Sequence, residues 1–96
     1  MSDVVDAAVK ALSAKLAGAT PDGSIKFLIE DEGAVRIDQT GVSADDSDAD
    51  CVITASSTTF QDLLAGRLNP TAAFMTGKLR IEGDMGLAMR MGSLLS

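Results

Sequence analysis

The side chains best equipped for chemistry in this 96-residue sequence are one cysteine, Cys51, and fourteen carboxylates, with no histidine among them. The absence of histidine removes both the commonest general base and the commonest transition-metal ligand. Cys51 stands in an apolar run (CVITA) with no base beside it, so it reads as a small buried hydrophobe and not as a nucleophile. A single cysteine also excludes an intramolecular disulfide. No serine occupies a G-x-S-x-G elbow, and neither a phosphate-binding G-x-x-x-x-G-K-[ST] loop nor a G-x-G-x-x-G turn occurs. Asp46, Asp48 and Asp50 alternate as a calcium loop begins, but glycine is replaced by Cys51 and the closing glutamate by Ser57. These aspartates therefore read as a solvated turn. No metal, no cofactor and no catalytic residue is expected, and an enzyme is the weakest of the functional readings.

Composition narrows the partners. Residues 1–48 carry ten acidic and four basic side chains, and residues 49–96 carry four of each, for a net charge of −6. An acidic half argues against nucleic acid, whose binding relies on clustered Lys and Arg. It also argues against firm docking on anionic lipid by charge alone, while leaving transient membrane contact by the neutral half open. No basic segment precedes an apolar core at the N-terminus, and no apolar run approaches the ~20 residues of a membrane span. The C-terminus does not read S-K-L. A cytoplasmic location is expected.

The elements that must position any site follow from periodicity. Ser2 or Asp3 caps a helix to about Leu16, with Val5, Val9, Leu12 and Leu16 at helical spacing and Ala8 beside them. Thr20 to Gly23 is a turn in which proline sets the first bend and glycine the second. Ser24–Glu30 and Ala34–Asp38 alternate as a hairpin, with Ile25, Phe27, Ile29, Val35 and Ile37 inward and Leu28 an apolar exception outside. Gly41–Ala44 can add a third strand, Ala44–Asp50 an acidic crossover loop, and Cys51–Ala55 a further strand. Ser56 or Ser57 caps a helix with Phe60, Leu63 and Leu64 as its stripe, ended by Gly66. Asn69 caps another helix beginning at Pro70 and ending at Gly77. Lys78–Glu82 alternates as a strand with Leu79 and Ile81 on one face and Lys78 and Arg80 on the other. Asp84 then caps a last helix. Residues 1–96 make one domain, and strands interleaved with single-striped helices predict an α+β sheet with helices on one face.

The last helix breaks the pattern. Met85, Leu87, Met89, Met91, Leu94 and Leu95 put apolar groups on nearly every side, which an amphipathic surface helix does not do. It can be a buried helix, or a deformable wall around a long apolar ligand, because methionine repacks at little cost either way. A cavity in so short a chain would cost stability unless filled. A third reading is an accessory or dimerisation domain whose methionine-rich surface binds a protein partner. Lys78 and Arg80 read as an exposed strand face or, more sharply, as a contact for a lipid head group or partner surface.

The run AFMTGKLRIEGDMGLAMRM, preceded by Asp50-Cys51-Val52-Ile53-Thr54 and Leu68-Asn69-Pro70, resembles the sterol carrier protein type 2 domain. That family shows a D-C-x-I-T strand, an L-N-P turn, and then A-F-x-x-G-K-L-x-I-x-G-[ND]-M-G-L-A-M. The likeness extends over about residues 2 to 95 in element order and is specific from Asp50 onward. It implies a five-stranded mixed sheet, helices on one face, and a hydrophobic tunnel between the layers. It further implies non-catalytic binding and transfer of fatty acids, fatty acyl chains, phospholipids or sterols. Carried onto this sequence, the tunnel residues are Met85, Leu87, Met89 and Met91, with Phe74 and Met75 from the preceding helix. Phe60, Leu63, Leu64, Ile81, Leu94 and Leu95 complete the candidate wall. The family often continues into a segment that helps cover the tunnel, which implies a more open mouth here. The single aromatic in the sheet, Phe27, and the methionine wall favour flexible acyl chains over a rigid ring system. The oligomeric state is left open.

Overall fold

The computed structural model describes residues 3–95, apart from the Leu95 side chain; the cap expected at Ser2 lies outside them. Helix α1 (Asp3–Leu16) turns Val5, Ala8, Leu12 and Leu16 inward. Val9, expected on that stripe, is half-buried, because the inward row runs through Ala8 instead. Strands β1 (Ile25–Ile29), β2 (Gly33–Asp38) and β3 (Gly41–Ser43) follow as a meander, then β4 (Cys51–Ala55). Helices α2 (Ser57–Leu64) and α3 (Pro70–Met75) lead to strand β5 (Arg80–Gly83) and helix α4 (Met85–Leu95).

The sheet order is β3-β2-β1-β4-β5. The β1–β4 pair is parallel and the other three are antiparallel, so the sheet is mixed. Alternation along each strand puts Ile25, Phe27, Ile29, Val35, Ile37, Cys51, Ile53 and Ala55 in the core with the inward residues of the helices. The parallel pair is anchored at its start by a reciprocal contact. The Ser24 amide donates to the Asp50 carboxylate at 3.1 Å, and the Asp50 amide donates to the Ser24 hydroxyl at 2.9 Å.

The crossover loop lies against the sheet face away from the helices. Lys26, whose side chain is 11% exposed, pairs with Asp46 at 3.1 Å, and Arg36 donates to the Asp48 carbonyl while also pairing with Asp38. Asp46, Asp48 and Asp50 thus serve three different partners. The Asp38 carboxyl is held below its ordinary value, chiefly by the Thr40 hydroxyl and amide and then by Arg36.

Local rules set most boundaries. Ser56, Asn69 and Asp84 accept hydrogen bonds from amides in the first turns of α2, α3 and α4 at 2.8–3.2 Å. Helices α2 and α3 both end with paired bonds closing over a glycine, Gly66 and Gly77. The second of these closures shifts the start of β5. The amides of Lys78 and Leu79 are taken by the Ala73 carbonyl at 2.8 and 3.3 Å, so the strand expected from Lys78 begins at Arg80. Gly23 also differs from expectation. It does not take a positive φ; a Cβ there would lie 2.9 Å from the Asp50 carboxylate and 3.1 Å from Leu87. It is the space for the Asp50 contact, not the bend, that calls for glycine.

Candidate functional site

Between the sheet and the C-terminal helices lies a cavity of about 450 Å³, inside the ~300–1,000 Å³ range of pockets that hold small ligands. Its floor is one row of the inward sheet face, Phe27, Ile53 and Ile81, adjacent across β1, β4 and β5. Leu79 closes the row just ahead of β5, and Leu63 of α2 contributes from the side. Pro70, Thr71 and Phe74 of α3, with the Asn69 cap, form one wall. Helix α4 forms the opposite wall with Met85, Ala88, Met89 and Met91, and with Arg90, Gly92 and Ser93. The walls meet closely, since a Cβ on Gly92 would lie 3.6 Å from Pro70.

Helix α4 is neither wholly buried nor wholly exposed. Leu87, Ala88 and Met91 are buried, while Met85 and Met89 are 43% and 72% exposed although both reach the cavity. The apolar excess on this helix divides into a core-facing stripe and a rim at the cavity mouth. Phe74, 42% exposed, stands on the rim from the other side. At residue 90 the helix is tied to the turn before β1: Arg90 Nη1 donates to Asp22 Oδ2 at 2.9 Å.

Of the twelve residues singled out by sequence, Leu63, Phe74, Ile81, Met85, Met89 and Met91 are brought together around the cavity. The others sit elsewhere. Phe60 is buried in the core, its ring 5.3 Å from that of Phe27. Leu64 packs at the margin of the core, and Leu87 is buried near Gly23. Met75 is 79% exposed and Leu94 is 37% exposed, both outside the lining, and the Leu95 side chain lies outside the described residues. Sequence reasoning did not single out Phe27, Ile53 and Leu79 as lining, although alternation had turned Phe27 inward and set Leu79 on one face with Ile81. Of the polar lining residues, Asn69 was read only as a helix cap within the L-N-P turn, and Thr71, Arg90 and Ser93 were given no role.

Cys51, on the inner face of β4, has no exposed surface. Burial, with a smaller contribution from the charge of Asp84, pushes its thiol above the ordinary value of 9.0. Among the described residues no group of His, Cys, Asp and Glu side chains is placed to hold a metal ion, and no helix is long and apolar enough to cross a membrane.

The model of the SCP-2 sterol transfer family matches residues 2–96. The chain belongs to that family. Among curated relatives of this SCP-2 chain, human sterol carrier protein 2 is 49% identical over 49 residues, which is 51% of this chain and 9% of that protein. Hydroxysteroid dehydrogenase-like protein 2 of Xenopus laevis is 41% identical over 68 residues, 71% of this chain and 15% of that protein. The matches thus span a small part of those longer proteins. Among solved structures, sterol carrier protein domain 2 of Helicoverpa armigera aligns with a TM-score of 0.69 at 26% identity, covering 95% of this chain and 81% of that one. Sterol Carrier Protein-2 from Aedes aegypti in complex with C16 fatty acid (palmitate) shares the fold, with a TM-score of 0.77 at 17% identity, covering 100% of this chain and 97% of that one.

Proposed function

We propose that this SCP-2 domain binds and transfers lipids without a chemical step of its own, holding an acyl chain in the cavity between its sheet and α3–α4. The observation that carries this reading is the cavity of about 450 Å³ with an aliphatic, aromatic and methionine wall. The family match and the palmitate bound by the Aedes relative support it. The driving force is desolvation, about 0.8 kcal/mol for each methylene buried, less the cost of ordering the chain. Met85, Met89 and Met91 suit a flexible chain such as a fatty acid or acyl group better than a fused ring, because thioethers repack around a mobile shape.

Exchange takes place at the mouth. Met89, Met85 and Phe74 are apolar and exposed at the rim; Met75, Lys78 and Arg80 are exposed as well, Arg80 on the strand face away from Ile81. That mixture suits brief contact with a lipid surface, the domain otherwise working in the cytoplasm. The tie of α4 to Asp22 is a solvent-exposed ion pair, a class worth only ~0–1 kcal/mol, so the helix is held mainly by its buried Leu87, Ala88 and Met91.

Native mass spectrometry of the purified protein tests the reading. A co-purified lipid, or displacement of a fluorescent fatty acid by an unlabelled one, is expected; neither being seen would sink it. Met89→Trp should fill the mouth and lower acyl uptake by about tenfold, equivalent to ~1.4 kcal/mol. The exposure of Met75 and Met89 favours a second reading, an accessory or dimerisation domain that binds protein. In that case sedimentation shows a concentration-dependent dimer unaffected by fatty acid, and Met89→Trp alters association instead of uptake.

A further inference from the structure

Sulfur is unevenly placed in this molecule. Four methionines lie among the described residues, Met75, Met85, Met89 and Met91, and the last three line the cavity from α4. Within the lining they differ in access to water. Met89 is 72% exposed and Met85 43%, while Met91, at 1%, is closed off in the core. Met75, the last residue of α3, is 79% exposed but stands outside the lining. The single thiol offers no alternative target, because Cys51 has no exposed surface and burial pushes its ionisation up. A thioether carries no proton to lose, so it stays nucleophilic at any ordinary pH, and access decides which one reacts.

We propose that Met85 and Met89 are oxidation sites through which a peroxide weakens lipid binding. In the step, the thioether sulfur gives a lone pair to one peroxide oxygen and the O–O bond breaks. A sulfoxide forms, and the departing hydroxide takes up a proton and leaves as water. Sulfur loses two electrons and the peroxide gains them. The product is polar where the thioether was apolar. A polar group set against an acyl chain without a partner is costly. An oxidised side chain at Met85 or Met89 therefore either opposes the chain or turns to water and uncovers the mouth, and the lipid is weakened both ways. A thiol-dependent sulfoxide reductase reverses the change, giving back the thioether with water and a disulfide. The proposal rests on the lipid-binding reading and adds a control to it. Two residues are internal contrasts: Met91 lines the cavity out of the oxidant's reach, and Met75 is within reach but off the lining.

Hydrogen peroxide is applied to the full chain without added lipid, and peptide mass mapping at set times gives the order of oxidation. Met75 and Met89 should react first and Met91 last, only as the core opens. The affinity for a fluorescent fatty acid is measured before and after an exposure short enough to spare Met91. The wild type should weaken by about tenfold. It should recover after treatment with two methionine sulfoxide reductases, one for each sulfoxide epimer. Met75→Leu should weaken by the same factor as the wild type. Met85→Leu combined with Met89→Leu, whatever its own starting affinity, should change by less than about twofold on exposure, because leucine has no sulfur to oxidise. The proposal is overturned if Met91 reacts as fast as Met89, if the double variant weakens as much as the wild type, or if the reductases restore nothing. Should the double variant not fold, Met89→Leu decides alone and should weaken clearly less than the wild type. A wild type that binds the probe equally well with both sulfoxides formed overturns the oxidation control and leaves the lipid-binding reading standing. A reduced wild type that does not bind the probe overturns both.

Discussion

Cys51 illustrates how much a residue's surroundings decide. On β4 it has no exposed surface, and burial together with the Asp84 charge holds its thiol protonated past the ordinary value of 9.0. A water-soluble disulfide reagent should leave Cys51 unlabelled at pH 8 while the fold is intact and label it fully in denaturant; native labelling at the rate of an exposed thiol would contradict the structure. The same shift has a sign in stability. The unfolded chain loses the thiol proton first, so the contribution is complete below the ordinary thiol value and is lost as pH rises through the raised one. Urea midpoints measured at pH 8 and pH 10 should therefore fall further for the wild type than for Cys51→Ala. The burial of Cys51 was legible from its apolar run. The place of Arg90 was not, because a polar residue on a helix carries no mark of what it faces until the helix is docked.

At the scale of elements, the junction of β4, β5 and α4 is set by Gly83. Its φ is +89°, and a Cβ there would lie 2.3 Å from the Asp50 carbonyl oxygen, which also accepts the Asp84 amide at 3.0 Å. Gly83→Ala would meet both a left-handed backbone and a backbone clash, so it should cost at least ~2 kcal/mol in chemical denaturation; a loss below about 0.5 kcal/mol would mean that the junction relaxes freely. Asp84 as a cap could be read directly, as could the Asn69–Pro70 helix start, because each rests on a neighbour or two. The start of β5 could not. Leu79 alternates like a strand residue, but its amide is claimed by the Ala73 carbonyl, and a competition between a helix end and a sheet edge is invisible to periodicity. Nor was the parallel β1–β4 pairing legible from periodicity, since its anchors, Ser24 and Asp50, lie 26 residues apart.

For the whole molecule, a cavity of about 450 Å³ in a chain of 96 residues is an unfilled stretch of core. Such space forfeits contacts unless something occupies it. Saturation with a fatty acid at a hundred times its dissociation constant should stabilise the domain by about 2.7 kcal/mol. For a domain of this size that raises the melting temperature by about 10–20 °C. Calorimetry with and without ligand measures it, and an unmoved melting temperature would mean that the space is not a binding site. The element order and the α+β class followed from patterning and caps. The excess of apolar groups on α4 was visible too, but a cavity is an absence of packing, and no residue type announces what fails to touch it. The family resemblance supplied that expectation, and the docked helices located it.

The sheet ends on one side at β3, three residues long, and on the other at β5, four residues long and bearing Arg80 and Glu82. Unpaired strand borders are where one chain can template another through main-chain hydrogen bonds, and short, charged borders make poor templates. The long rows of backbone partners lie in the interior, on β1, β2 and β4. A molecule with sticky methionines at its mouth thus has little capacity to propagate a shared sheet. Any self-contact it makes must go through side chains, and such contacts can come apart.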